Sequence, residues 1–244
     1  FFKVELPAWP VILINKADFI FCHNKFDMSF LLDLNHKLIN KINVVNGSGV
    51  NLNQYTFHKM ILDNKTVFLL PARIIKEKGI LEFIAASKQI DHKYPNKCLF
   101  HIIGDKYAKS NFNKIFDDLI SNSCVQYSLF NDDLKDELIK STCVVLPSYR
   151  EGLSKVLIES LAIGRPIITS DVPGCSSLVK DGFNGYLVEP QNVISLATAM
   201  EKFLLLSPSD KLKFSKYSKD LSLKYDENYV IDEYVYILNK FSDA

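Results

Sequence analysis

Residues 148–166 read SYREGLSKVLIESLAIGRP. Glu151 and Glu159 stand eight positions apart, and Gly152 follows the first. At about 100° per residue, the run from Val156 to Ile163 is apolar on nearly every side of a helix. A helix that is apolar all round is buried. A carboxylate at Glu159 inside it costs on the order of several kcal/mol unless hydrogen-bond donors reach it. Read alone, Glu159 is an edge residue touching solvent. Read with its neighbours, it is an acceptor waiting for hydroxyls, and the vicinal diol of a sugar is a suitable donor, as ribose is in dinucleotide folds.

The surroundings of this stretch set the fold. CVVLP (143–147) reads as a strand leading in, SKVLIESLA (154–162) as a helix, and PIITSD (166–171) as the next strand. The same alternation begins at residue 66. TVFLLP (66–71), CLFHIIGD (98–105), CVQYS (124–128) and GYLVEP (185–190) read as further strands. KGILEFIAASKQI (78–90), SNFNKIFDDLI (110–120), DDLKDELIK (132–140) and a short GCSSLVK (174–180) read as helices between them, and 191–206, 209–222 and 227–241 close the chain as helices. Short apolar strands alternating with helices predict βαβ units and a parallel sheet covered on both faces. The first 45 residues differ. ADFIFCH (17–23) reads as a strand, FDMSFLLDLNHKL (26–38) as a helix, and INVVNGSGV (42–50) as a strand with a Gly-rich turn. They read as the tail of a preceding domain.

In open α/β sheets, ligands bind beyond the carboxyl ends of the strands. Those ends carry Arg73 and Lys78 in ARIIKEKG, Gly104 and Asp105 after FHII, SYREGLS at 148–154, and DVPGC at 171–175. REGLS opens a helix, whose N-terminus offers unpaired N–H groups and partial positive charge. Gly152 admits a close approach to the backbone. With Arg73 and Lys78 nearby, the rim suits a diphosphate. Glu159 then falls at a ribose, and Glu151 at a second sugar beyond the phosphates. Each feature alone has a plain reading, as a turn, a loop or a surface charge; their order along one βαβ series makes the combination specific.

Composition bounds the rest. A chain of 244 residues with a formal net charge of +1 fits a globular protein without the basic excess of a nucleic-acid binder. Cys22, Cys98, Cys124, Cys143 and Cys175 are scattered without ligand spacing and read as reduced, buried thiols of a cytosolic protein. No apolar run reaches the about 18 residues of a spanning helix, and FFKVELPAWP lacks the order of a signal peptide. No metal motif stands out; NDD at 131–133 heads a helix. No GxGxxG follows a strand, which weighs against a dinucleotide dehydrogenase.

The string PARIIKEKG…FHIIGD…VVLPSYREGLSKVLIESLAIGRPIITSDVPG…LVKDGFNGYLVEP resembles the C-terminal half of retaining glycosyltransferases of family 4. The resemblance runs from about 40 to 241, and the Glu151-x7-Glu159 pattern is its signature. It implies an α/β, GT-B, Rossmann-like C-terminal domain, with 1–45 a remnant of the N-terminal acceptor-binding domain, 46–226 the donor-binding domain and 227–244 a return helix. It also implies that Arg73 and Lys78 hold the donor diphosphate, that Glu159 holds the ribose, and that Glu151 orients the transferred sugar. By the same resemblance Gly152 and the amides of Leu153, Ser154 and Lys155 meet the phosphates, while Gly104, Asp105 and Phe130 bound the donor pocket. Leu129 stands where the family carries a glycine near the nucleobase. None of His23, His36, His58, His92 or His101 matches a family context. The wording NGSGV, PARIIKEKG and TSDVPGC is most like bacterial enzymes that extend O-antigen, capsule or lipid-linked glycans. The implied reaction is a metal-independent, front-face transfer from a nucleotide sugar, with no cofactor, to a glycan or undecaprenyl-diphosphate-linked acceptor. The implied place is the cytoplasm, with peripheral contact at the inner face of the membrane through the absent domain. The rival class is a nucleotide-sugar-binding piece that transfers nothing; a GT-B epimerase would need acid/base groups that the cleft residues do not supply.

Overall fold

The computed structural model describes residues 13–107, 110–130 and 134–242. FFKVELPAWP and the NDD of 131–133 lie outside the described residues. The central unit is a parallel sheet of six strands: β3 (Thr66–Pro71), β4 (Cys98–Ile103), β5 (Val125–Ser128), β6 (Cys143–Leu146), β7 (Ile167–Ser170) and β8 (Gly185–Val188). Its order is β5-β4-β3-β6-β7-β8, and every pairing is parallel. The chain therefore winds outward from β3 on one side and from β6 on the other. Their junction is a topological switch point, where the loops leaving the strands diverge and open a crevice.

The strand sequences explain the arrangement. β6 and β7 are buried along their length, as expected for central strands with helices on both faces. In β3, Phe68 and Leu70 belong to one core and Leu69 to the other, the two-residue alternation of a strand. On the first face, α2 (Ile80–Lys93) and α6 (Val193–Leu204) bring Phe83, Ile84, Met200 and Phe203 onto Phe68 and Phe100. On the second, α4 (Leu134–Lys140) and α5 (Lys155–Ile163) bring Leu138, Leu157, Ile158 and Leu161 onto Leu69, Val144 and Leu146. The helix α3 (Phe112–Ser121) covers the β4–β5 edge through Phe116, and α7 (Pro208–Ser222) places Phe214 in the first core.

Residues before the sheet form a small unit. β1 (Ile20–Cys22) pairs parallel with β2 (Ile42–Val44), and α1 (Lys25–Leu34) packs on them around Cys22, Leu38 and Ile42. The chain then crosses through 46–51 and meets the start of α8 (Glu227–Ser242). Val50 N–H donates to Tyr225 O at 2.8 Å, Glu227 N–H to Val50 O at 3.0 Å, and Asn51 Nδ2 to Glu227 Oε1 at 2.6 Å. Tyr234 of α8 touches Phe21 of β1, ring centroids 4.8 Å apart.

Several expectations need correction. The helix expected over 26–38 stops at Leu34, because Asn35 turns extended and its side chain caps a 3-10 turn over His36–Asn40. Gly79, at φ 72°, separates a 3-10 turn at Lys76–Lys78 from α2, so Lys78 sits on a loop and not in the helix. The helix expected at 174–180 is a single 3-10 turn, Ser176–Leu178. Cys124 lies at the surface, before the edge strand β5, while the other four cysteines are buried; all five are free. Among the described residues no helix is long and apolar enough to cross a membrane.

Candidate active site

The rim beyond the strands is built by backbone approaches that only glycine permits. At Gly79 a Cβ would collide with the carbonyl of Pro147, and at Gly104 with that of Ala72. The loops after β3, β4 and β6 are thereby drawn together. Gly174, at φ +81°, does the same for the loop after β7: a Cβ there would lie 2.5 Å from Glu151 O. The expected gathering of loops is thus built backbone against backbone.

Glu151 lies at the centre. Its Oε1 is paired with Lys78 Nζ and accepts from Ser148 Oγ at 2.8 Å. Both members of the ion pair are largely shielded, with side chains 19% and 14% exposed. Lys78 is therefore tied to Glu151 across two loops, a coupling the linear reading does not contain. The loop carrying Glu151 is fixed from behind. Tyr149 N–H donates to Glu77 O at 2.9 Å, and Tyr149 Oη donates to Glu82 Oε1 at 2.7 Å. Burial and the neighbouring Glu82 hold the Tyr149 hydroxyl well above the usual phenol range.

A pocket of about 280 Å³ opens beside this cluster. Arg73, Gly104, Asp105 and Phe130 line it, with Pro71, Ala72, Ile103, Leu134 and Val156. Arg73 is exposed at its edge, and Phe130 is 45% exposed. Val156 belongs to α5, and Glu159, three residues on, shares its face. Glu159 is 7% exposed, buried rather than at an edge. Burial pushes its carboxyl upward; Lys155, 4.0 Å away on the same helix, and a hydrogen bond from Tyr55 act against that shift.

The N-terminus of α5 has no side-chain cap. Its first intrahelical bond runs from Ile158 N–H to Ser154 O at 3.2 Å. Of the amides expected to face phosphate, that of Ser154 is turned elsewhere: it donates to Gly174 O at 3.2 Å, because the Gly174 backbone is pressed onto the loop. Leu153 is seated against Gly47, whose added Cβ would lie 2.8 Å from its Cδ2. Lys155 is mostly exposed beside the helix end. Gly152 faces the N-terminal unit: Asn24 Nδ2 donates to Gly152 O at 2.7 Å, and a Cβ on Gly152 would sit 3.7 Å from His23 Nδ1. Arg150 pairs with Asp27 at 3.2 Å beside this contact.

Ser148, Tyr149, Glu82, Tyr55 and Asn24 are site residues that sequence reasoning missed. Ser148 alone left a signal, three positions before Glu151 in the same loop. Tyr149 stands in that loop too, two positions before Glu151, but nothing in the sequence pointed to its partner; Glu82, Tyr55 and Asn24 arrive from distant segments. Among the described residues no cluster of three His, Cys, Asp or Glu could hold a metal ion.

The family model described as glycosyl transferases group 1 matches residues 54–221. The chain belongs to that family. A Campylobacter jejuni protein named as the N,N'-diacetylbacillosaminyl-diphospho-undecaprenol alpha-1,3-N-acetylgalactosaminyltransferase is 26% identical over 258 residues, covering 98% of this chain. The chain spans 66% of the length of that relative. A crystal structure of a glycosyltransferase from Rickettsia africae superposes with a TM-score of 0.82 at 20% identity, covering 96% of this chain and 67% of the other. Anabaena HepE, crystallised with UDP and glucose, superposes with a TM-score of 0.84 at 17% identity, covering 95% of this chain and 66% of the other. These likenesses place the six-stranded unit in the GT-B fold, as its Rossmann-like half.

Proposed function

We propose that this chain is the donor-binding part of a retaining glycosyltransferase. It would take a sugar from a nucleotide-diphosphate donor, a UDP-linked hexose or N-acetylhexosamine, and pass it to a growing bacterial surface glycan or lipid-linked oligosaccharide. The observation that supports the reading is the gathering of charged groups on one rim. Glu151, held by Lys78 and Ser148, stands just before α5, Glu159 is buried within that helix, and Arg73 and Asp105 line a pocket that Val156 of the same helix also lines. In this scheme Glu159 binds the ribose, the free N–H groups of α5 with Arg73 and Lys78 hold the diphosphate, and Glu151 orients the sugar. Negative charge grows on the leaving diphosphate as the glycosidic bond opens. On this reading Arg73, Lys78 and the N-terminus of α5 would meet it, the electrostatic role a metal fills elsewhere. Among the described residues no side chain stands out as a double-displacement nucleophile, and the reading takes a front-face reaction, in which the acceptor hydroxyl would attack from the face that the diphosphate leaves.

On this reading 1–45 are a remnant of the acceptor-binding domain, 46–226 the donor domain and 227–244 the return helix. The Campylobacter relative's name supports N-acetylgalactosamine and an undecaprenyl-linked acceptor as first substrates to test. Such an acceptor would draw the whole enzyme to the cytoplasmic face of the membrane. The test is calorimetric titration with UDP and GDP, beside Glu159→Ala. We expect UDP to bind and the variant to bind it at least tenfold more weakly; equal affinity would remove Glu159 from the ribose role. A second reading is a nucleotide-sugar-binding chain that transfers nothing. UDP binding without transfer from UDP-N-acetylgalactosamine to an undecaprenyl-diphosphate-linked saccharide would select it.

A further inference from the structure

Between the crossing at 46–51 and β3, the chain runs along α5. Tyr55 N–H donates to Asn51 O at 2.8 Å, and His58 N–H donates to Ile163 O at 3.1 Å. Phe57 packs on Gly164, where an added Cβ would lie 2.6 Å from its Cε2. Asn51 anchors the start of the segment to Glu227 and caps its own turn at Asn53 and Gln54. Tyr55 packs against the apolar cluster that includes Leu157, Ile158 and Leu161 of α5. Its hydroxyl reaches the Glu159 carboxylate, the one anionic group buried in that helix.

We propose that Tyr55 is a positioning residue of the donor site: its hydroxyl holds the Glu159 carboxylate in the orientation that accepts a ribose diol. The proposal rests on the reading of Glu159 given above. A carboxylate offers about four lone-pair sites. Tyr55 occupies one, and Lys155 at 4.0 Å stands beyond hydrogen-bond reach, so acceptor sites remain for a ligand's hydroxyls. The segment that carries Tyr55 is pinned at both ends, so the hydroxyl is a fixed donor and not a mobile one. The apolar ring adds to the burial around Glu159, and its hydroxyl opposes the rise that burial imposes on the carboxyl.

Lys155, on its own helix, and Tyr55, from the segment packed across it, are the titratable groups that act on Glu159. Burial raises its carboxyl, and both neighbours oppose the rise. Removing the Tyr55 hydroxyl leaves burial less opposed, so Glu159 takes up its proton at a higher pH. Donor affinity that needs the carboxylate is then lost earlier as pH falls.

The experiment titrates this chain with UDP and with 2′,3′-dideoxyuridine diphosphate across about pH 5–8, for wild type, Tyr55→Phe and Glu159→Ala. Tyr55→Phe keeps the ring, and its melting temperature is recorded alongside. We expect Tyr55→Phe to weaken UDP about tenfold, the scale of one hydrogen bond to a charged group, and to move the acid limb of affinity to higher pH. With the dideoxy analogue the three proteins should converge. A Tyr55→Phe protein with wild-type affinity and an unmoved acid limb, beside a weakened Glu159→Ala, overturns the role of Tyr55 and leaves the donor reading intact. A Glu159→Ala protein that binds UDP like wild type, or no UDP binding by any of them, overturns both. The wild-type comparison of the two nucleotides tests the Glu159 arm without any variant.

Discussion

Glu151 and Arg73 are two charged residues on one rim with different surroundings. Glu151 is shielded and held by Lys78 and Ser148, so its oxygens are fixed before any ligand arrives. Arg73 is exposed, with no carboxylate partner among the described residues, so its charge is available to a ligand. If Glu151 orients the sugar, Glu151→Gln will lower turnover far more than UDP affinity in a complete enzyme. Steady-state rates beside UDP titration check this; equal losses in the two would assign Glu151 to nucleotide binding. If Arg73 stabilises the leaving diphosphate, Arg73→Ala will lower kcat about 10²–10³-fold, the range seen when one preorganised electrostatic donor is removed. A loss under about threefold would take Arg73 out of that role. The pairing of Lys78 with Glu151 was not legible in the sequence, because the two residues come from loops after different strands. What brings them together is Gly79, pressed against Pro147.

At the scale of elements, the loop at 147–153 is held from both sides by contacts that the sequence keeps far apart. The strands and helices themselves were largely readable. Central strands such as β3 and β6 are continuous apolar runs, and α5 declares its burial by being apolar all round. The short turns misled for a local reason: Gly79 and Asn35 break helices that their hydrophobic spacing would continue. The supports of the loop were not readable, since Gly174, Glu82 and Asn24 act through tertiary contact. Gly174→Ala puts a Cβ where φ is +81° and where the backbone of Glu151 and Gly152 already lies. We expect it to displace the loop, lower the melting temperature and weaken UDP binding together. Unchanged binding and melting would mean that the two loops are free to part. Tyr149→Phe is a milder probe. It removes the donor from Glu82, whose other oxygen is buried without a partner, and leaves a buried carboxylate unsatisfied. The expected destabilisation is about 1–3 kcal/mol by denaturant unfolding; no change would mean that water satisfies the group.

At the scale of the molecule, the small unit around β1, β2 and α1 is bound to the loop at 150–152 by specific contacts. Asn24 both caps α1, accepting from Asp27 N–H at 2.8 Å, and donates to Gly152 O at 2.7 Å. Asp27 in the first turn of that helix accepts from Asn24 Nδ2 at 2.8 Å and pairs with Arg150. The start of α1 and the loop carrying Glu151 therefore share one hydrogen-bonded cluster. The Asp27–Arg150 pair is partly exposed and adds little to stability by itself. Its effect should be local. The paired substitution Asn24→Ala with Asp27→Ala removes the cap and both contacts to the loop while leaving the six-stranded core untouched. Amide hydrogen exchange is the measurement, because it resolves local opening that a global melt averages away. We expect faster exchange at 149–153 and in the first turn of α1, with protection in β3, β6 and β7 unchanged. Faster exchange confined to α1 would show that the loop is held by Tyr149, Lys78 and Gly174 alone. If residues 149–153 do loosen, the geometry around Glu151 depends on what lies before residue 45 as well as on the sheet beneath it, and this rim is then set jointly by the two units.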